Sequence, residues 1–156
     1  MSEYRIDLLG GHDRKAFASG SPELDAYLQT RASQDMRRRV ASCFVAIDDL
    51  GLVAGFFTIA ATSLVLDALS ADHAKRLPRY PVIPAVLLGR LAVAKGHKGK
   101  RLGGALVADA LLRAARSEVM AYAMVVDAKD EAAVRFYKHL GFARLSDDKR
   151  RLIRAL

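Results

Sequence analysis

The sequence is short of several things, and each shortage closes a class of protein. Of its 156 residues only Cys43 is a cysteine, so no internal disulfide can form and a disulfide-stapled scaffold is excluded. No run of about 18 uncharged apolar residues occurs, so no segment is expected to cross a bilayer as a helix. The start, Met1-Ser2-Glu3-Tyr4-Arg5, has no apolar stretch behind a basic opening and does not read as a secretory signal. A reducing, cytoplasmic setting is therefore expected. The four histidines, His12, His73, His97 and His139, match no zinc-ligand spacing, and no metal site is expected. Neither a P-loop nor a Gly-x-Gly-x-x-Gly dinucleotide fingerprint is present. Aromatic base-stacking motifs of the RNA-recognition type are missing as well.

What remains is a chain able to build a core. Hydrophobic residues make up 52% and charged residues 27%, which excludes wholesale disorder. A chain of this length buries roughly 68–70% of its unfolded surface, and one domain over residues 1–156 is expected. Lysine and arginine number 25 against 17 acidic residues, a net charge of +8. Such a balance suits an anionic partner: nucleic acid, an acidic protein or a phosphorylated small molecule. Charge alone does not separate these from a plainly soluble basic surface.

The pattern alternates strands and helices. Residues 6–9 form a short candidate strand ended by Gly10-Gly11. Ser21, Pro22 and Glu23 are an N-cap, a first helical residue and a first-turn acid. Leu24, Leu28, Ala32 and Met36 then recur at four-residue spacing, predicting one helix that closes in Arg37-Arg38-Arg39. Residues 43–47 and 53–61 predict a hairpin around a turn at 48–51. Gly55, inside the second strand, implies a bulge or a close approach. A short helix is expected within 64–77. Pro78, Pro81 and Pro84 keep the following segment extended, and residues 86–93 form an apolar strand. A helix over 102–116 carries Leu102, Leu106, Ala110 and Ala114 on one face. A strand follows over 121–126, then a helix over 130–140 with Asp130 as cap and Gly141 as its left-handed end. Residues 142–156 read as one last strand. The order predicts one α/β domain around a mixed sheet.

Two segments carry chemistry. After the strand 86–93 comes His97-Lys98-Gly99-Lys100-Arg101-Leu102-Gly103-Gly104. Glycines between a strand and a helix let backbone N–H groups converge at the positive end of the helix dipole, which is a phosphate site. Lys95, Lys98, Lys100 and Arg101 add charge beside it. The second segment is Arg135-Phe136-Tyr137-Lys138-His139-Leu140-Gly141-Phe142. Tyr137 reads either as a core aromatic or as a general acid, since a phenol holds its proton at neutral pH.

Arg90-Leu91-Ala92-Val93, the basic glycine loop and the Phe-Tyr-x-x-x-Gly-Phe segment together resemble the GCN5-related N-acetyltransferases (GNAT). Further segments resemble the toxin branch of that family, whose members acetylate the amine of aminoacyl-tRNA. These are Phe17-x-Ser-Gly, Leu24-Asp25-x-Tyr-Leu28, Ala32-x-Gln34-Asp35, Leu77-Pro78-Arg79-Tyr80-Pro81 and Leu87-Leu88-Gly89-Arg90. The resemblance covers roughly residues 6–145. It implies a single α/β domain with a central, mostly antiparallel mixed sheet flanked by helices, and a splayed parallel strand pair at the cofactor site. It implies acetyl-CoA as cofactor, with Leu91, Ala92 and Val93 along the pantetheine, residues Lys98 to Gly104 around the pyrophosphate, and Phe136 also at the cofactor. Tyr137 would protonate the departing thiolate. The implied partners are aminoacyl-tRNA, a ribbon-helix-helix antitoxin and a second copy of the chain.

One departure from the family pattern is Arg101, which stands where a middle glycine is usual. If the backbone there needs a glycine-like conformation the side chain crowds the phosphates; alternatively its guanidinium grips them. Arg37, Arg38, Arg39, Lys75, Arg76, Arg79, Arg90, Lys149, Arg150 and Arg151 are candidate contacts to tRNA phosphate. His97 is a candidate neighbour of phosphate. Asp127 and Asp130 either orient the substrate amine or end a strand and cap a helix. Cys43 reads as a buried strand residue, because direct attack by an amine needs no protein nucleophile.

Overall fold

A strict four-residue stripe drifts slowly around an ordinary α-helix: Leu24 to Met36 is 12 steps along the chain, whereas three turns take roughly 11. The computed structural model, which describes residues 4–145 and 150–156, resolves the mismatch with a wider turn. Helix α1 (Pro22–Ala26) runs into a π-helical turn over Tyr27–Arg31, and α2 (Ala32–Arg37) continues it. The extra residue re-phases the stripe, so that Leu28 and Ala32 are fully buried while Leu24 and Met36 pack at the edge of the same core. Arg14 Nη1 donates to the Leu28 carbonyl at 3.0 Å, giving a backbone acceptor in the π turn an outside partner. The start of α1 follows the sequence: Ser21 accepts from the Leu24 N–H and Pro22 is the first residue.

Seven strands hydrogen-bond in the order β1-β2-β3-β4-β5-β7-β6. They are β1 (Arg5–Leu8), β2 (Ser42–Ile47), β3 (Val53–Val65), β4 (Val82–Val93), β5 (Ala123–Asp127), β6 (Ala143–Arg144) and β7 (Arg151–Ala155). The pairs β1–β2, β2–β3, β5–β7 and β6–β7 are antiparallel. The pair β4–β5 is parallel, from Ala85 opposite Ala123 to Leu88 opposite Val126. Helices α3 (Ala71–Ala74), α4 (Leu102–Ala115) and α5 (Glu131–His139) complete the fold. This is a GNAT-like α/β architecture with a mixed, mainly antiparallel sheet.

The chain folds as two compact units: the chain up to Ala60 with Gly89–Ala110, and Ala61–Leu88 with Leu111–Leu156. The core of the first unit gathers Phe17, Tyr27, Leu28, Cys43, Val45, Val53, Phe56 and Ala92. Phe56 sits edge-on to Phe17 at 5.7 Å and stacks on Tyr27 at 6.3 Å. Cys43 is fully buried, and that burial pushes its thiol up to about 12. Gly55 is the close approach that its place in a strand implied: a Cβ there would stand 3.0 Å from both the Ala92 carbonyl and Leu106 of α4. Without a side chain at 55, α4 seats on β3 through Leu102 and Leu106. The core of the second unit gathers Leu64, Leu69, Ile83, Ala85, Ala123, Val125 and Ile153.

Two expectations need correction. The stretch 142–156 is not one strand but two: β6 and β7 pair antiparallel, with Ala143 opposite Ile153. The short helix expected within 64–77 is present as α3, preceded by a 3-10 turn over Leu66–Ala68. Strands β3 and β4 are also longer than their apolar runs, because β4 starts at Val82 and carries Pro84 within it.

Candidate active site

The first unit holds the loop that follows β4. Ala94 donates to the Ala54 carbonyl and Lys95 to the Ala18 carbonyl, at 2.8 and 2.9 Å, which pins the chain as it leaves the strand. A 3-10 turn over Lys95–His97 follows. Two residues then take left-handed backbone, Gly99 at φ +81 and Arg101 at φ +63. The Arg101 carbonyl accepts the first helical bond, from Ala105 at 3.2 Å, so α4 begins immediately beyond it. Arg101 thus does occupy a glycine-like conformation, at about 1–2 kcal/mol of local strain for a residue with a side chain. Leu102 is buried, which anchors the turn, while Gly103 and Gly104 are half-exposed in the first turn of α4.

The electrostatics of this turn favour an anion. No acidic residue lies in the first turn of α4, so the positive end of its dipole is left unneutralised. Lys98, Lys100 and Arg101 are exposed, and none of their side chains forms a hydrogen bond or ion pair among the described residues. Gly20, at φ +100, brings the chain close to Lys95 and Lys98: a Cβ built there would lie 3.6 Å from Lys95 Cε and Lys98 Nζ. The residues present therefore fit a pyrophosphate: left-handed turns, a helix start and unpaired cations. His97 does not join them. Tyr4 Oη lies 2.8 Å from its Nδ1, and its Nε2 stands 3.3 Å from Asp48 Oδ2, so both ring nitrogens are engaged. Backbone donors from Leu52 and Leu50 hold the Asp48 carboxyl below its usual range, and His97 adds to this.

The second unit holds Tyr137, on α5. Asp130 caps this helix by accepting from the Ala133 N–H at 2.8 Å, so its role is structural. Gly141 ends the helix at φ +93. The Tyr137 ring is 7% exposed and sits edge-on to Phe136 at 5.0 Å and to Phe142 at 5.5 Å. Burial pushes the phenol up to about 12. Its hydroxyl has no hydrogen-bond partner among the described residues. A protonated donor with no partner of its own is free to serve a bound group.

Elsewhere in this unit the charges are tied. Arg151 grips Asp127 with two hydrogen bonds, Nε to Oδ1 at 2.8 Å and Nη2 to Oδ2 at 2.9 Å, and these hold the Asp127 carboxyl below its usual range. Asp127 is thereby committed to the end of β5. Arg150 donates to the Lys129 carbonyl at 2.8 Å and faces Glu131 at 3.4 Å. Neither arginine offers the free head group expected of a phosphate contact. A cavity of about 850 Å³ in this unit is lined by Leu64, Leu69 and Leu145, with Asp127 and Arg151 among its polar groups.

Of the other basic candidates, Arg37, Arg38, Arg39, Lys75, Arg76 and Arg79 are exposed and unpaired among the described residues. Lys149 lies outside the described residues. Arg90 is half-buried with its guanidinium carbon 3.7 Å above the Tyr27 ring. Sequence reasoning missed this arrangement, because Tyr27 and Arg90 are far apart in the chain and no local pattern joins them.

Residues 39–144 match the acetyltransferase (GNAT) domain, and the chain belongs to that family. Over 132 residues it is 37% identical to the tRNA-acetylating toxin of Mycobacterium tuberculosis (strain ATCC 25618 / H37Rv), covering 83% of this chain and 78% of that protein. Among solved structures, AtaT complexed with acetyl-methionyl-tRNAfMet aligns at a TM-score of 0.88 and 27% identity, over 97% of this chain and 94% of that one. AtaTR bound with AcCoA aligns at 0.81 and 26% identity, over 99% and 95%. Among the described residues no helix is long and apolar enough to cross a membrane.

Proposed function

We propose that residues 1–156 work as one acetyltransferase domain that moves the acetyl group of acetyl-CoA onto the free amine of aminoacyl-tRNA, and that the protein is thereby a toxin of translation. The observation that carries the cofactor is the left-handed Gly99–Arg101 turn into an α4 start with no acid and unpaired cations beside it. The substrate follows the 37% identity to a tRNA-acetylating toxin. Bound acetyl-CoA supplies the acetyl group as an activated thioester. On this reading, backbone groups of Leu91, Ala92 and Val93 align the pantetheine as an added strand would. The segment from Lys98 to Gly104 holds the pyrophosphate, and Phe136 packs beside the cofactor. A backbone N–H, such as that of Val93, polarises the carbonyl under attack.

Tyr137 is the proton source. The amine nitrogen forms the new C–N bond as the C–S bond breaks, and the thiolate takes a proton. A phenol pushed up to about 12 is protonated at neutral pH and donates a hydrogen bond to the developing sulfur anion. Because a thiol ordinarily titrates near 8.5, full transfer from such a phenol is uphill. Tyr137 therefore gives its proton only as the C–S bond breaks, and the proton released by the amine replaces it. Water serves in place of a protein base, or the amine arrives neutral and needs none.

The exposed arginines 37–39 in the first unit, and Lys75, Arg76 and Arg79 in the second, are the candidate contacts to tRNA. An N-acetylated aminoacyl ester cannot attack a peptidyl ester, so elongation stops. A cytoplasmic setting follows from that substrate. A ribbon-helix-helix antitoxin with an acidic wrapping segment and a second copy of the chain are the partners we assign. The test is transfer of labelled acetyl from acetyl-CoA into charged tRNA, with deacylated tRNA as control. Label only with charged tRNA supports the reading. No label while acetyl-CoA still binds redirects it to protein N-termini or small amines, and no acetyl-CoA binding at millimolar concentration overturns it.

A further inference from the structure

The Arg90–Tyr27 pair has features that a purely structural arginine lacks. The guanidinium lies over the ring at 3.7 Å, and no hydrogen bond or ion pair engages it among the described residues. Stacking uses the face of the guanidinium and leaves its in-plane N–H donors free. The platform beneath is rigid. Tyr27 is 3% exposed, its hydroxyl donates to Asp35 Oδ2 at 2.7 Å, and its ring stacks on Phe56 with an interplanar angle of 15°. The hydroxyl bond also occupies one oxygen of Asp35, the nearby carboxylate that Tyr27 reaches. Burial and that bond raise the Tyr27 phenol above its ordinary range, so the proton stays in the link to Asp35. The π-helical turn that starts at Tyr27 is the irregularity that sets this ring in place; such turns often mark sites of function.

A half-buried guanidinium with free donors, held flat by a locked ring, is preorganised for a planar pair of anionic oxygens. Its position separates that anion from the cofactor's pyrophosphate. Arg90 lies three residues, about 10 Å of strand, before Val93, where β4 ends and the chain turns toward Gly99 and Arg101. Resting on the functional reading above, we propose that Arg90 is a substrate-binding residue that grips a phosphodiester of the aminoacyl-tRNA, and that Tyr27 and Asp35 are the positioning residues that hold it.

The test uses the whole protein and measures three quantities: the affinity for charged tRNA across a series of salt concentrations, the KM and kcat of acetyl transfer, and the affinity for acetyl-CoA by calorimetry. For Arg90→Gln the expected result is about tenfold or more weaker tRNA binding. The slope of log K against log salt should fall by about 0.7–0.9, the share of one phosphate contact. KM for charged tRNA should rise with little change in kcat, and acetyl-CoA affinity should not move. Arg90→Lys keeps the charge but loses the fork and should recover only part of the affinity. Tyr27→Phe keeps the ring and cuts the tie to Asp35; Tyr27→Leu removes the ring. Both should weaken tRNA binding, the second more than the first, and melting curves identify a variant that fails to fold, in which case Tyr27→Phe and Arg90→Gln decide. Unchanged affinity and salt slope in Arg90→Gln overturn the assignment alone. Weakened acetyl-CoA binding in Arg90→Gln also overturns it, by placing the anion on the cofactor. Wild-type protein that binds acetyl-CoA but not charged tRNA overturns the functional reading, and this assignment with it.

Discussion

Arginine is used in opposite ways at the end of β4 and at the C-terminal hairpin. Arg144 and Arg150 face Glu131, Arg151 grips Asp127, and Arg154 donates to the Leu140 carbonyl at 2.8 Å. These cations are spent on closing β6 and β7 onto α5 and β5. Arg90 and Arg101, in contrast, are fixed without acids, one by an aromatic ring and the other by a left-handed backbone. That contrast governs the meaning of a net charge of +8. A formal count treats every arginine alike, but a paired cation presents little field to a ligand, and a preorganised unpaired one presents its full charge and donors. The preorganised arginines proposed for binding therefore belong to the first unit, and the second contributes a neutral phenol beside the exposed candidates Lys75, Arg76 and Arg79.

A one-atom change tests that division while leaving every charge in place. Tyr137→Phe removes a single oxygen. If the phenol is the proton source, kcat for acetyl transfer should fall by about 10²–10⁴-fold. Acetyl-CoA affinity should hold, and because the hydroxyl has no partner among the described residues, the melting temperature should stay close to wild type. Turnover equal to wild type would leave Tyr137 as a core aromatic beside Phe136 and Phe142.

A smaller effect separates the two roles of Arg101. Arg101→Ala removes the guanidinium and keeps a side chain in left-handed backbone; Arg101→Gly removes both. If the guanidinium holds phosphate, both variants should bind acetyl-CoA about tenfold more weakly. The glycine variant should be the more stable of the two by about 1 kcal/mol, since its backbone meets no strain. Calorimetry and urea unfolding read the two quantities apart. Glycine binding as tightly as wild type would mean that the turn works through its backbone and that arginine merely tolerates it.

Much of this was legible from local chemistry. The caps Ser21 and Asp130, the stop at Gly141, the buried face of α4 and the close approach at Gly55 all follow from one residue type in one local setting. What escaped depends on distance in sequence or on geometry without a residue signature. The π turn is invisible in a stripe that counts as helical under either period. The division of 142–156 into β6 and β7 rests on an antiparallel register between two short segments, which a single-strand reading cannot see. At the candidate site the sequence pointed to the loop and to Tyr137, and it marked Arg101 as out of place. The support under Arg90 comes from an aromatic ring distant in the chain, which no spacing rule connects, and the engagement of His97 by Tyr4 and Asp48 has the same character.

The weakest effect concerns the paired arginines. Asp127 and Arg151 are both partly exposed, with 57% and 37% of their side-chain surfaces open, so screening limits their pair to about 0.5–1 kcal/mol. Asp127→Asn should lower stability by that amount at neutral pH and leave acetyl-CoA affinity unchanged. The pH dependence has a definite sign. Hydrogen bonds from Arg151 hold the folded-state carboxyl below its usual value, so the folded state binds fewer protons than the unfolded chain. The stabilisation is then complete above the ordinary carboxylate range near 4 and fades as pH falls through the depressed value. Urea midpoints of wild type and Asp127→Asn should differ at pH 7 and converge as the pH falls below the depressed value. A gap that persists unchanged in acid would mean that Asp127 serves β5 through packing rather than charge, and the contrast between spent and free arginines would then rest on Arg144, Arg150 and Arg154.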